Sequence, residues 1–168
     1  MKTTITHFLA VIFILTASFS CKSDDDHIYV DYDTYPVVYD LKNQNFELFD
    51  GVYQLLREFN RPMYDSDVLL IYKQIGTTTN NAPVWQQIPI TFYLNDGHEL
   101  DYNFDFSKYD FVIYAGGTFD LTGTEFIHNQ TFRVVVVPAD FGKPNIDLSD
   151  YDSVINYYNI DDSNPIQL

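Results

Sequence analysis

Ile90 to Phe106, ITFYLNDGHELDYNFDF, decides the fold of this 168-residue chain. Two runs of strand-forming residues meet at Asn95-Asp96-Gly97-His98. An Asp-Gly pair between such runs signals a hairpin, because a type I′ turn needs positive φ at both central residues. In the second arm Leu100, Tyr102, Phe104 and Phe106 alternate with Glu99, Asp101, Asn103, Asp105 and Ser107. A period of two sends these sets to opposite faces, so the spacing predicts a strand buried on one side and wet on the other.

Working outward, the first arm reads as one strand from Trp85 to Leu94, and Phe111–Ala115 (FVIYA) reads as another, broken by Gly116-Gly117. Phe132–Val137 (FRVVVV) is the most strand-like run, and its unbroken valines predict burial on both faces. Arg133 and Pro138 flank it as gatekeepers against aggregation. Val68–Tyr72 (VLLIY) reads as a buried strand, and Tyr35–Leu41 as a first strand with Pro36 at its entrance. Phe46–Phe59 is ambiguous: Val52, Leu55, Leu56 and Phe59 have helical spacing, while Tyr53, Leu55, Arg57 and Phe59 alternate. Its strand neighbours favour a strand. Ser149 starts a short helix with Asp152 at capping-box spacing, and Tyr151, Val154, Ile155 and Tyr158 form its apolar stripe. The chain is therefore expected to be all-β: a single immunoglobulin-like antiparallel β-sandwich with a short C-terminal helix over residues 35–158, then a flexible tail over 159–168.

The first residues have a different character. Lys2 precedes the apolar block Phe8–Ala17 (FLAVIFILTA), followed by Ser18-Phe19-Ser20 and the only cysteine, Cys21. A charged start, an apolar middle and small residues at a cleavage point make a secretory signal peptide over residues 1–20. The middle falls short of the roughly 20 apolar residues that span a bilayer. The cysteine at that point resembles the lipobox of bacterial lipoproteins, although Ser18 stands where the commonest form has leucine. Lys22-Ser23-Asp24-Asp25-Asp26 resembles the charged export signal that sends Bacteroidetes lipoproteins to the outer face of the outer membrane. The resemblance implies acylation of Cys21, a tether over residues 21–34 and a surface location. One acyl chain holds a protein weakly to a membrane and two or more hold it firmly.

The chain carries 9 basic and 24 acidic side chains, a net charge of −15. Removal of residues 1–20 takes away only Lys2 and leaves −16. Such a balance excludes nucleic acid as a partner, since that binding rests on neutralising phosphates. It also opposes direct docking on anionic headgroups. With one cysteine there is no internal disulfide, so packing must hold the domain. Fourteen tyrosines and fourteen phenylalanines suit half-buried sheet faces.

Asn129–Phe141 (NQTFRVVVVPADF), Leu148–Tyr158 (LSDYDSVINYY), Leu94–Phe119, Tyr64–Tyr72 and Trp85–Leu94 together are similar to a family of small uncharacterised lipoproteins of Bacteroidetes. The similarity implies an exported β-rich domain and supplies neither catalytic residues nor a ligand.

The chain offers few candidates for chemistry. Asp101, Asn103 and Asp105 open like a calcium loop, but the sixth and twelfth positions hold Phe106 and Val112 instead of Gly and Glu. On a strand the outer two lie about 13 Å apart, too far to share one ion. The pairs Asp31/Asp33, Asp65/Asp67 and Asp161/Asp162 fall in loops and offer at most weak calcium binding. His27, His98 and His128 lack zinc-ligand spacing. No G-x-S-x-G elbow or phosphate-cradling glycine loop occurs. A carboxylate-pair hydrolase would need two acids facing across a cleft. Trp85, Tyr53, Tyr93, Tyr102 and Tyr114 are candidate platforms for sugar rings. Asp152-Ser153-Val154 resembles the O-glycosylation site of Bacteroidetes exported proteins, and Asn129-Gln130-Thr131 fits the N-glycosylation sequon, for which no machinery is expected. The reading is a non-enzymatic, lipid-anchored envelope protein without metal or cofactor, acting as an accessory or interaction module for an envelope-protein partner; the alternative is a glycan-binding surface lipoprotein.

Overall fold

The valine run of Phe132–Val137 sits at the centre of the fold. The computed structural model describes residues 36–138 and 145–168. Cys21, Lys22, Ser23, Asp24, Asp25 and Asp26, together with the expected signal peptide, the tether, His27, Asp31 and Asp33, lie outside the described residues.

Among the described residues ten strands form two sheets. They are β1 (Val37–Gln44), β2 (Glu47–Phe49), β3 (Val52–Glu58), β4 (Val68–Thr77), β5 (Pro83–Gln87), β6 (Ile90–Tyr93), β7 (Glu99–Phe106), β8 (Asp110–Gly117), β9 (Gln130–Val137) and β10 (Ile166–Gln167). The first sheet has the order β10-β1-β9-β4-β5 and the second β2-β3-β8-β7-β6. All pairings are antiparallel except β1 with β10. Among the described residues one α-helix, α1 (Tyr151–Tyr157), lies between β9 and β10 in the chain.

Alternation along the strands creates three layers. Leu41, Leu69, Ile71, Phe132, Val134 and Val136 of the first sheet meet Leu55, Leu100, Tyr102, Phe111, Ile113 and Ala115 of the second in the main core. The odd-numbered valines of β9, Val135 and Val137, point the other way. They pack with Val38, Leu70 and Tyr72 beneath Tyr151, Val154 and Tyr158 of the helical segment. A central strand covered by a sheet on one side and a helix on the other needs apolar side chains at nearly every position, as the valine run anticipates.

The hairpin at residues 95–98 forms as expected, but its turn differs. Gly97 has φ +84° and is the one loop residue in the left-handed region, with Gly97 N–H donating to Leu94 O at 3.1 Å. This is a type I turn followed by a left-handed glycine. The two-residue turn with both centres at positive φ lies instead at Asp50 (+49°) and Gly51 (+81°), and divides Phe46–Phe59 into β2 and β3.

Other differences have local causes. The expected strand Trp85–Leu94 is two strands, because Pro89, preceded by a cis peptide, stands where the chain leaves the first sheet for the second. Gly116-Gly117 does not break β8 but completes its pairing with β7; a Cβ on Gly117 would stand 2.8 Å from the Glu99 carbonyl oxygen. Asp150, not Ser149, stands at the N-cap position of α1 and makes no side-chain capping bond, while the Ser149 hydroxyl donates to Asp147. In the tail, β10 joins the sheet edge and Leu168 N–H donates to Asp40 O at 3.2 Å.

Candidate functional site

Arg133 is not an exposed gatekeeper. Its alternation places it on the helix-covered face of β9, directly opposite Asp40 of β1, and it is 8% exposed. Arg133 Nε donates to Asp40 Oδ1 at 2.6 Å and Nη2 to Asp40 Oδ2 at 3.0 Å. Its Nη1 donates to Asp162 Oδ2 at 2.9 Å and to the Tyr151 hydroxyl at 2.6 Å. The guanidinium carbon lies 4.7 Å from the Trp85 ring centre. One cation thus joins β1, β9, the helix and the C-terminal segment. Burial, and then the hydrogen bond to Asp162, raises the pKa of the Tyr151 phenol. Each nitrogen of the fork already donates to an acceptor, so this cluster is a clamp rather than a binding site.

Lys73 is different. Leu69, Ile71 and Lys73 share the inner face of β4, so the alternation that buries two apolar residues buries an ammonium next. Its Nζ lies 4.7 Å from the Tyr102 ring centre and 5.4 Å from that of Phe132, and it donates to Gln130 Oε1. No carboxylate within 4.0 Å of Nζ occurs among the described residues. Burial lowers its pKa to about 8. Lys73 lines a cavity of about 310 Å³ at the sandwich end where the β8–β9 connection crosses between the sheets. Phe92, Leu94, Tyr102, Phe126 and Gln130 also line it, with Glu125 of the short 3-10 turn Glu125–Ile127. The walls are tied in place: the Tyr102 hydroxyl donates to Phe126 O at 2.7 Å, and Gln130 Nε2 donates to the carbonyls of Glu125 and His128, each at 2.7 Å.

The lysine has a measurable cost. Lys73→Met is expected to raise the unfolding free energy at pH 7 by about 2 kcal/mol, since an apolar residue of similar length removes a buried charge without an ion-pair partner. The unfolded chain keeps this amine protonated up to its ordinary 10.5, the folded chain only up to about 8. At this group the unfolded state therefore binds more protons between those values, and the cost of Lys73 to wild-type stability falls as pH rises there. Denaturant melts at pH 7 and pH 10 are expected to show the gap between wild type and variant closing. The phenol of Tyr102 is pushed up by burial and then by Glu125, so it stays neutral across that window.

The second sheet has no covering layer among the described residues. Its outer face presents Phe49, Val52, Leu56, Val112 and Tyr114, with Phe49 68% and Leu56 51% exposed. Around this patch, the same face carries Glu47, Glu58, Glu99, Asp101, Asp105 and Asp110 and no basic residue. Asp101, Asn103 and Asp105 point outward in alternation, as the wet-face reading requires, and Asp101 accepts the Thr91 hydroxyl at 2.6 Å. The opposite end of the sandwich has a wider cavity of about 600 Å³ lined by Tyr39, Arg61 and Tyr109, among others.

The remaining candidates are dispersed. Tyr102 is buried, Tyr53 bonds Thr122 at 2.8 Å, and Trp85 packs on Arg133 and Tyr151. Tyr93 and Tyr114 share the outer face of the second sheet but sit on β6 and β8, with β7 between them. Asp65 pairs with Lys108 at 3.1 Å, Asp67 accepts Tyr64 N–H, Asp161 accepts Ser163 N–H and Asp162 holds Arg133. His98 stacks near Phe119, 5.0 Å between centres. Ser153 lies within α1, bonded to Asp150 at 2.5 Å. Among the described residues no group of three or more His, Cys, Asp or Glu gathers to hold a metal, and no helix is long and apolar enough to cross a membrane. Comparison with protein-family models, curated proteins and solved structures finds no match.

Sequence reasoning passed over Lys73. The signal was present: Leu69, Ile71 and Lys73 occupy alternate positions of a strand whose even and odd residues are both apolar.

Proposed function

We propose that this chain is an exported cell-envelope lipoprotein, anchored through an acylated Cys21 and working as a non-enzymatic accessory or interaction module at the outer membrane surface. The observation that carries the anchor is the order Lys2, Phe8–Ala17, Cys21, Asp24–Asp26. The resemblance to small Bacteroidetes lipoproteins supports the same reading.

The interaction half rests on the outer face of the second sheet. An uncovered apolar patch within a rim of six acids favours a protein partner with an apolar, basic surface. The exposed rings do not form one row, so a sugar platform has less support. The immunoglobulin-like expectation enters only as two face-to-face sheets. In the constant-type order the first strand belongs beside the second, whereas here β1 lies beside β9.

A photo-crosslinking amino acid at Leu56 tests the reading in intact cells. The expected result is a discrete adduct with an envelope protein that disappears when Phe49 and Val52 are both changed to Asp. No adduct from this face, together with turnover of a defined substrate by the purified chain, contradicts it.

A further inference from the structure

We propose that the cavity beside Lys73 binds a small amphipathic monocarboxylate, its acid group on Lys73 Nζ and its hydrocarbon part against Phe92, Leu94 and Phe126. The inference is independent of the anchor and of the outer-sheet interface, because the cavity lies at one end of the sandwich between the two sheets.

Lys73 has unmet bonding capacity. An ammonium has three donors. Gln130 takes one, and the faces of Tyr102 and Phe132 attract the charge without supplying lone pairs in the carboxylate manner. A buried cation left without an anion is what a carboxylate ligand completes, through a charge-assisted hydrogen bond.

The walls suit such a ligand in shape and chemistry. A volume of about 310 Å³ lies at the small end of the range for ligand pockets. Away from Lys73 the lining is chiefly aromatic and aliphatic, which suits a hydrocarbon body. The uncharged polar side chains are already committed: Tyr102 to the Phe126 carbonyl, Gln74 to the Gly76 carbonyl, and Gln130 to Lys73 and two carbonyls. The site is therefore formed before any ligand arrives, and ordering costs are small.

Glu125 shares the cavity lining with the single lysine. Glu125 forms no ion pair with Lys73 but repels a dianion more than a monoanion, so a carboxylate is preferred to a phosphate.

Calorimetric titration of the purified full chain with octanoate, octanol, acetate and inorganic phosphate separates these contributions. Octanoate is expected to bind about tenfold more tightly than each of the others, the size of one charge-assisted hydrogen bond or of a short buried chain. In a chain with ¹³C-labelled lysine, octanoate is expected to shift the Lys73 ¹³Cε resonance. Lys73→Met is expected to lower octanoate affinity about tenfold while changing octanol affinity less than about twofold. Equal affinity for octanoate and octanol, or for octanoate and acetate or phosphate, overturns the proposal. So does a Lys73→Met variant that keeps octanoate, or a wild-type chain with neither heat nor a Lys73 shift at millimolar octanoate.

Discussion

Arg133→Met is expected to lower the unfolding free energy of the domain by about 3–5 kcal/mol. The mutation keeps the length and most of the packing of the side chain. What it removes is the partner of Asp40, whose side chain is 2% exposed. Both Asp40 oxygens lose a charge-assisted bond, and the carboxylate stays where water cannot reach it. Lys42 Nζ, 3.5 Å from Asp40 Oδ2 and largely solvated, offsets part of the loss. The value should therefore fall in the lower half of that range. Asp162 is one-third exposed and can turn to solvent, so it adds little.

The same variant should loosen one layer before the others. Arg133 holds Tyr151 and Asp162, and hence the helix and the C-terminal segment, onto the first sheet. Hydrogen exchange at Val154 and Tyr158 is expected to accelerate more than at Ile71 or Ile113, which lie in the core between the sheets. Adding Asp40→Leu to Arg133→Met should recover most of the stability, because no buried charge then lacks a partner. A loss below about 1 kcal/mol for the single variant would contradict the clamp.

Much of this layout can be read from the chain. The alternation of Glu99–Phe106, the valine run and the stripe Tyr151, Val154, Ile155, Tyr158 each report a face, and faces are what periodicity encodes. The elements misread are those set by partners distant in sequence. Arg133 looks like a surface charge until β1 places Asp40 opposite it, 93 positions earlier. The C-terminal residues look loose because Ile166 and Gln167 gain their order from β1, at the far end of the chain. Pro89 divides a run of continuous strand character because one half pairs with β4 and the other with β7. Turn chemistry is also only partly local: the two Asp-Gly pairs, at 50–51 and 96–97, fold into different turns.

The candidate site was less legible than the fold. An acid-rich sequence draws attention to carboxylates, and those on the described strands and loops prove to be solvated or paired. The buried cation at Lys73 stands out only when β7 and β9 bring Tyr102, Phe132 and Gln130 around it. A lysine that closes an apolar alternation is the one local hint, and it acquires meaning from the cavity beside it.

Cys21→Ser carries the other large effect. On the proposed anchor, the substitution changes one atom yet removes the acceptor for every acyl chain. Each methylene withdrawn from the bilayer forfeits about 0.8 kcal/mol, so loss of two or three chains shifts the partition by many orders of magnitude. Among the described residues no helix is long and apolar enough to cross a membrane, and the full chain carries a charge of −15. Membrane fractionation of cells producing wild type and Cys21→Ser, with mass analysis of the mature N-terminus, measures this directly. The account predicts a wild-type chain that begins at an acylated residue 21 and sediments with membranes, and a serine variant recovered in the soluble fraction. A serine variant that stays with the membranes, or a wild-type Cys21 that bears no lipid, would contradict it.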